Sequence, residues 1–197
     1  MARNECPGES GKPGGGPAHD DPVEAARQIC LRLLTAAPRT RAQLAEALRR
    51  RHVPDEAAGR VLGRFAEAGL IDDAAFARAW VESRHHGRGL GRRALAAELR
   101  RRGVDSQEVQ AAVEALSPDE ELATARRLAA QRAASSRGRP QPARIRQLVG
   151  MLARRGYPAG LAYQVVREVL AEEGPGESAA GLEDMPETTD DDEWPPR

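Results

Sequence analysis

Adjacent arginines recur at three places in this sequence, separated by 51 and then by 53 residues. Three strongly basic points at a regular interval suggest contact with a repeating partner, such as the subunits of a filament. Cations in the last turn of a helix also interact favourably with the helix dipole, by about 0.3–1 kcal/mol each, so a purely structural role is compatible too. The pairs are Arg50 and Arg51, Arg101 and Arg102, and Arg154 and Arg155.

A second basic cluster lies between the first and the second arginine pair. Four arginines alternate there with Gly87, Gly89 and Gly91. Glycines let the chain turn sharply and approach a partner closely, although an ordinary loop between two helices has the same composition. The cluster consists of Arg84, Arg88, Arg92 and Arg93, of which the last three join the three pairs as candidate partner-binding residues.

The charge of the chain is unevenly distributed. Residues 22–171 carry 27 basic and 16 acidic residues, a net charge of +11, whereas residues 172–197 carry a net charge of −9. A basic body with an acidic end suggests a polyanionic or acidic partner, although charged faces are also common on helical proteins in general. The acidic end is expected either to tune binding by competing with phosphates or only to aid solubility.

The sequence lacks the patterns that indicate catalysis, a cofactor or a metal. No glycine-rich phosphate loop is present, because the GKPGGG stretch at residues 11–16 has neither the spacing nor a preceding strand. His85 and His86 have no third ligand nearby, and the adjacent Asp72 and Asp73 are better explained as helix caps than as an acid–base pair. We therefore expect a protein that is not an enzyme.

Cysteine usage and hydropathy indicate a cytoplasmic protein. Cys6 and Cys30 form neither a disulfide framework nor a metal-ligand spacing. No apolar run approaches the roughly 18 residues that a membrane-spanning helix needs. The first 21 residues lack the apolar stretch of a secretory signal. We expect no membrane partner.

Apolar residues return in three copies at the same spacings as the arginine pairs. In each copy seven apolar positions fall on the inner faces of two successive helices, and His52, Gly103 and Gly156 fall together at the bend between them. One such unit of about 50 residues buries little core by itself, whereas stacked units share one. The pattern favours an elongated, curved array over a single globular bundle. The copies begin with Leu44, Leu48 and Val53, with Leu95, Leu99 and Val104, and with Leu148, Leu152 and Tyr157.

Helix caps divide the chain and predict an all-α fold of tandem three-helix repeats. N-cap patterns begin at Asp21, Thr40, Asp72 or Asp73, Asp105 and Ser117. The ends of the chain are rich in Gly, Pro and polar residues and are expected to be disordered. The predicted segments are a flexible arm at 1–21, repeats at 22–70, 71–117 and 118–171, and an acidic disordered tail at 172–197.

Four apolar residues of the middle repeat are predicted to be structural. Phe76 and Trp80 stand four residues apart on one helix face, and Leu95 and Leu99 do the same on the next helix. We expect all four to support the fold and not to contact a partner, with Trp80 in the core.

Three segments resemble the RecX family. The stretch GLIDDAAFARAWVESR at residues 69–84 is similar to the most recognisable segment of that family, and GLGRRALAAELRRRGV at residues 89–104 is similar to the helix that follows it. The stretch LLTAAPRTRAQLAEALRRRHV at residues 33–53 looks like the family's first repeat. The resemblance covers about residues 22–171 and is loosest around RAASSRGRPQPAR in the third repeat.

The resemblance implies a regulator of the RecA recombinase without catalytic residues. Members of the family bind RecA filaments on single-stranded DNA and, in most cases, inhibit strand exchange, ATP hydrolysis and co-protease activity in DNA repair and the SOS response. We therefore expect RecA and its filament as partners, weak direct DNA binding and a monomeric protein. The alternative is a helical protein that binds DNA directly without RecA, which the basic body also supports.

Overall fold

The computed structural model describes residues 21–173, and within that range all regular secondary structure is α-helical. This confirms the predicted all-α fold. The predicted flexible arm and acidic tail lie almost entirely outside the described residues. The helices are α1 (Pro22–Ala36), α2 (Arg41–Arg49), α3 (Asp55–Glu67), α4 (Asp73–Arg88), α5 (Arg92–Arg101), α6 (Ser106–Glu114), α7 (Pro118–Ala134), α8 (Gln141–Arg154) and α9 (Ala159–Glu172).

The predicted N-caps begin their helices as the sequence indicates. Asp21 caps α1 with its side chain, and Asp105 caps α6 in the same way. Full capping boxes begin α2 at Thr40 and α7 at Ser117. Each box satisfies backbone donors that would otherwise lack a partner, and loss of such a cap typically costs about 0.5–2 kcal/mol.

The two adjacent aspartates before α4 have separate structural tasks. Asp72 caps the helix, because its carboxylate accepts a hydrogen bond of 2.7 Å from the amide of Ala75. The carboxylate of Asp73 accepts a hydrogen bond of 2.9 Å from the amide of Arg41 at the start of α2. The two side chains do not converge on one point, as their adjacency predicted.

The three predicted bends share one backbone conformation. Positive φ angles of 58°, 76° and 86° occur at His52, Gly103 and Gly156. In each case the next amide bonds back to the carbonyl five residues earlier, which is the Schellman closure of a helix end. The three closing bonds are Val53 to Leu48, Val104 to Leu99 and Tyr157 to Leu152, each at 3.2 Å.

The described residues form two compact units that divide between residues 76 and 77. In the first, one core joins α1, α2 and α3 and includes Leu44, Leu62 and Phe65. In the second, one core cluster joins α7, α8 and α9 and includes Leu148 and Val166. All the repeated apolar positions are buried except Val53, which is half-buried. The repeat in the sequence is therefore a repeat of packing.

Phe76 and Trp80 are not part of the fully buried core that the sequence predicted. Both are partly exposed, whereas Leu95 and Leu99 are completely buried. The indole of Trp80 donates a hydrogen bond of 2.8 Å to the carboxylate of Glu98, so this edge of the ring needs polar surroundings. The Trp80 ring thus lies at the edge of the core, where its N–H group has a polar partner.

Within residues 21–173 no helix has the length and hydropathy to cross a bilayer. The same residues contain no group of three or more His, Cys, Asp or Glu side chains arranged to hold a metal ion.

Candidate polyanion-binding site

The second arginine of each recurring pair binds within its own unit. Arg102 lies 3.6 Å from the centroid of the Trp80 ring. Arg155 donates to the carbonyl of Arg88, and Arg51 donates 3.1 Å to the carbonyl of Ala47. These guanidinium groups support helix ends and loops, which is the structural role that the helix-end alternative predicted in part.

The first arginine of each pair is exposed. Arg50 pairs with Glu46 at 2.9 Å, but 75% of its side chain remains accessible. Arg101 and Arg154 are exposed as well, and neither forms an ion pair with any residue between 21 and 173. The first positions are therefore accessible to an anionic partner.

The basic cluster around the start of α5 divides in the same way. The side chain of Arg92 is occupied, because it donates to the carbonyl of Leu116 and lies 3.4 Å from the carboxylate of Glu121. Arg88 and Arg93 are exposed. Of the three candidates in this cluster, Arg92 is structural and the other two are accessible.

Arg84 and Arg102 cover the Trp80 ring. Arg84 lies 4.1 Å from the ring centroid and 3.8 Å from the carboxylate of Glu98. Burial lowers the pKa of the Arg102 guanidinium, although its ordinary value is so high that the group stays charged. Cation–π contacts of this kind contribute about 0.5–2 kcal/mol, so these two arginines serve the middle repeat itself.

A groove runs beside α7 in the second unit. It consists of two adjoining cavities of about 490 and 510 Å³ that share Leu128, Gln131 and Arg155. We call it the α7 groove. It is lined by His86, Gly87, Arg88, Gly89, Leu90, Arg127, Leu128, Gln131, Arg132, Ser135, Gln147, Met151, Arg154 and Arg155.

The lining of the α7 groove is basic and contains no carboxylate. Among residues 21–173, none of its five arginines forms an ion pair. Unpaired cations along a concave surface focus positive potential and attract anions. Other arginines of the same unit pair with carboxylates: Arg84 with Glu98, Arg92 with Glu121, Arg126 with Glu168, and Arg137 and Arg144 with Glu173.

Tyr157 fixes one wall of the α7 groove. Its hydroxyl donates 3.1 Å to the carbonyl of Gly89, and the side chain is buried. Burial, together with the carboxylate of Glu121, raises the pKa of Tyr157 to about 12. The phenol therefore stays protonated and holds the turn after α4 in place.

Sequence reasoning missed Arg127 and Arg132, which line the groove from α7. A signal was available, because the α7 residues of the groove follow helical spacing from 127 to 135. That face holds two arginines and one leucine, so it did not stand out as apolar or as a repeated pair. Of the nine arginines predicted to bind a partner, the groove contains Arg88, Arg154 and Arg155.

The lining of the groove is suited to contact with an anionic chain. Arginine forks recognise phosphate and carboxylate groups, and Leu90, Leu128 and Met151 offer apolar contact. No Phe, Tyr or Trp side chain lines it, and His86 is its one aromatic ring. The described residues therefore form an all-helical protein with a basic groove that no carboxylate lines.

Comparison with family models shows which family the chain belongs to. The chain matches three models in succession: the first three-helix domain of RecX over residues 26–65, the second over 72–113 and the third over 119–166. The chain belongs to the RecX family, and it is a regulatory protein and not an enzyme. The resemblance found in the sequence is thereby confirmed.

Two relatives are similar to this chain over most of their length. The regulatory protein RecX of Thermobifida fusca is 64% identical over 174 residues, which cover 88% of this chain and 94% of that protein. The regulatory protein RecX of Streptomyces coelicolor is 60% identical over 154 residues, which cover 78% of this chain and 82% of that protein.

Solved structures show the same fold. The crystal structure of RecX from Lactobacillus salivarius aligns with a TM-score of 0.72 at 16% identity, covering 77% of this chain and 98% of that one. A second crystal structure of regulatory protein RecX aligns with a TM-score of 0.68 at 22% identity, and the alignment covers 75% of this chain and 72% of that one.

Proposed function

We propose that this protein regulates the RecA recombinase by binding RecA filaments on single-stranded DNA, and that it inhibits recombinase, ATPase and co-protease activity in DNA repair and the SOS response. The observation that carries the proposal is the succession of three matched RecX domains. We place the protein in the cytoplasm as a monomer, with domain limits at 22–70, 71–117 and 118–171.

The proposed contact uses the arginines that point outward. Arg50, Arg101 and Arg154 occupy equivalent positions in the three repeats and are exposed, which supports a contact repeated along a filament. Arg88 and Arg93 are exposed as well and join the proposed contact residues. Arg51, Arg92, Arg102 and Arg155 are used within the protein, so we assign them a supporting role.

A second candidate function is direct binding of DNA without RecA, which the cations of the α7 groove favour. Contacts to phosphates give affinity that is independent of sequence and falls steeply with salt. On this alternative, the protein would bind naked single-stranded DNA as tightly as it binds the RecA filament.

The experiment measures ATP hydrolysis by RecA on single-stranded DNA while this protein is titrated in. The proposal requires hydrolysis to fall, with shorter filaments in electron micrographs. Unchanged hydrolysis and unchanged filament length at saturating protein would contradict it. Filter binding to naked single-stranded DNA, run in parallel at the same salt, separates the filament regulator from the direct DNA binder.

A further inference from the structure

The α7 groove contains five arginines without a partner carboxylate among residues 21–173. Like charges in one concave surface repel each other and destabilise the free protein. Surfaces of this kind are stabilised when an anionic group occupies them.

The segment that follows the described residues has the complementary composition. Residues 174–197 hold eight acidic residues and a single basic one, Arg197. Four of the acidic residues are consecutive, at 190–193. Leu182 and Met185 lie among the other carboxylates, and they match the apolar side chains of Leu128 and Met151 in the groove.

The segment starts beside the groove. Glu173, the last described residue, pairs with Arg144 and lies 3.7 Å from Arg137. Arg144 also donates 3.2 Å to the carbonyl of Ala133, near the end of α7. Ser135, two residues further along, already lines the groove. The covalent connection therefore enters at the Ser135 end.

The length of the segment suffices for the whole groove. From Arg127 to Ser135, α7 rises by about 12 Å at about 1.5 Å per residue. Residues 174–197 are 24 residues, and a random-coil chain of that length has a root-mean-square end-to-end distance of roughly 27 Å, which exceeds this rise. A tether of this kind gives an effective concentration in the millimolar range, which a weak electrostatic contact can use.

We propose that residues 174–197 dock in the α7 groove of their own chain, with carboxylates against Arg127, Arg132 and Arg154. Docking neutralises the unpaired cations and makes the groove a regulated surface. A nucleic-acid strand is the weaker candidate occupant, because no Phe, Tyr or Trp side chain lines the groove for base stacking and His86 is its single aromatic ring. The docking itself does not depend on RecA; only its effect on filament binding rests on the proposed function.

Two native methionines report on the contact in the full chain. Met151 lines the groove, Met185 belongs to the acidic segment, and Met1 is the remaining methionine. Methyl spectra of ¹³C-methionine-labelled protein are recorded from about 0.01 M salt, where the Debye length is about 30 Å, to about 1 M, where it is about 3 Å. The test variant is Arg127→Glu/Arg132→Glu/Arg154→Glu.

The matched control is Arg64→Glu/Arg78→Glu/Arg167→Glu. It makes the same change in net charge at three exposed arginines that lie outside the groove. We expect the Met151 and Met185 signals to shift together with rising salt in the native chain. We expect the groove variant to show the high-salt positions at all salt concentrations, and the control to behave like the native chain.

Several results would overturn the proposal. If the position of the Met185 methyl signal changes neither with salt nor in the groove variant, the segment does not dock. A shift that depends on protein concentration means that the occupant is a second copy. If single-stranded oligonucleotide moves Met151 while Met185 stays at its high-salt position throughout, the groove is a nucleic-acid site. None of these measurements involves RecA, so their outcome is independent of the ATPase test.

Discussion

Gly156 lies so close to Ala94 that a Cβ atom on Gly156 would stand 2.3 Å from the amide nitrogen of Ala94. The carbonyl of Gly156 accepts a hydrogen bond of 3.3 Å from the amide of Arg93. The carbonyl of Arg155 accepts one of 2.8 Å from the amide of Gly91. The end of α8 therefore satisfies free donors at the start of α5. Two helices from successive repeats are joined through their backbones.

Replacing Gly156 with alanine should destabilise the protein strongly. Its φ of 86° alone costs a non-glycine residue about 1–3 kcal/mol, and the overlap with Ala94 adds to that. Urea denaturation measures the loss in unfolding free energy. Gly160→Ala is the control, since this helical glycine has open space around it and should gain about 0.5–1 kcal/mol. Equal stability of the two variants would disprove the close junction.

Trp80→Ala should lower the unfolding free energy by less than the 3–5 kcal/mol typical of a fully buried aromatic residue, because the ring is partly exposed. Two cation–π contacts and the hydrogen bond to Glu98 are lost. Trp80→Phe keeps a ring beneath Arg102 and should fall between native protein and Trp80→Ala. Normal stability in both variants with lost RecA binding would move Trp80 into the partner interface.

Charge reversal of Arg50, Arg101 and Arg154 together should weaken filament binding and reduce its dependence on salt. All three are exposed, so the fold should survive, and each lost phosphate contact reduces the slope of log affinity against log salt. Fluorescence anisotropy of labelled filaments at several salt concentrations measures the affinity and its dependence on salt. The variant is compared with Arg64→Glu/Arg78→Glu/Arg167→Glu, which carries the same charge. If the two triple variants bind alike, only total charge matters.

The free energy of unfolding should fall between about pH 10 and pH 12 because the unfolded chain loses the Tyr157 proton over that range. Its pKa is raised from 10.0 to about 12 in the folded protein, so the folded state retains a proton that the unfolded state releases. The contribution is complete below pH 10 and is lost as the pH rises to about 12, by up to about 2–3 kcal/mol. Urea midpoints at increasing pH show the loss.

The Tyr157→Phe variant should lack this part of the alkaline decrease, although loss of the hydrogen bond to Gly89 lowers its stability at neutral pH. Tyr163→Phe, at a half-buried position, serves as the control and should keep the decrease. An identical alkaline profile for native protein and Tyr157→Phe would show that another group is responsible.

Most of the fold was predictable because its signals are local. An N-cap such as Ser117 acts on amides three residues away, and a bend such as Gly103 requires only a positive φ angle. Both leave a mark in the composition of a short stretch. The threefold return of these signals, with apolar residues at helical spacing, was sufficient to predict the tandem repeats, whereas the family was indicated by the resemblance of residues 33–53, 69–84 and 89–104.

The candidate site was only partly predictable because its residues are distant in sequence. Arg88, Arg127 and Arg154 come from three helices, and nothing in their spacing shows that they line one groove. Equally, Arg101 and Arg102 are adjacent residues of the same type, yet Arg101 is exposed whereas Arg102 lies on the Trp80 ring.

The sequence by itself determined the all-α class, the starts of five helices, the threefold repeat and the basic character of the body. Each of these depends on residues within one or two helical turns, where backbone geometry fixes the neighbours. Only the tertiary structure decided which arginines stay accessible and which, like Arg92, are held by a distant carboxylate. The physical reason is that the partners of a long flexible cation are chosen by packing between helices, and that packing brings together residues far apart in the chain.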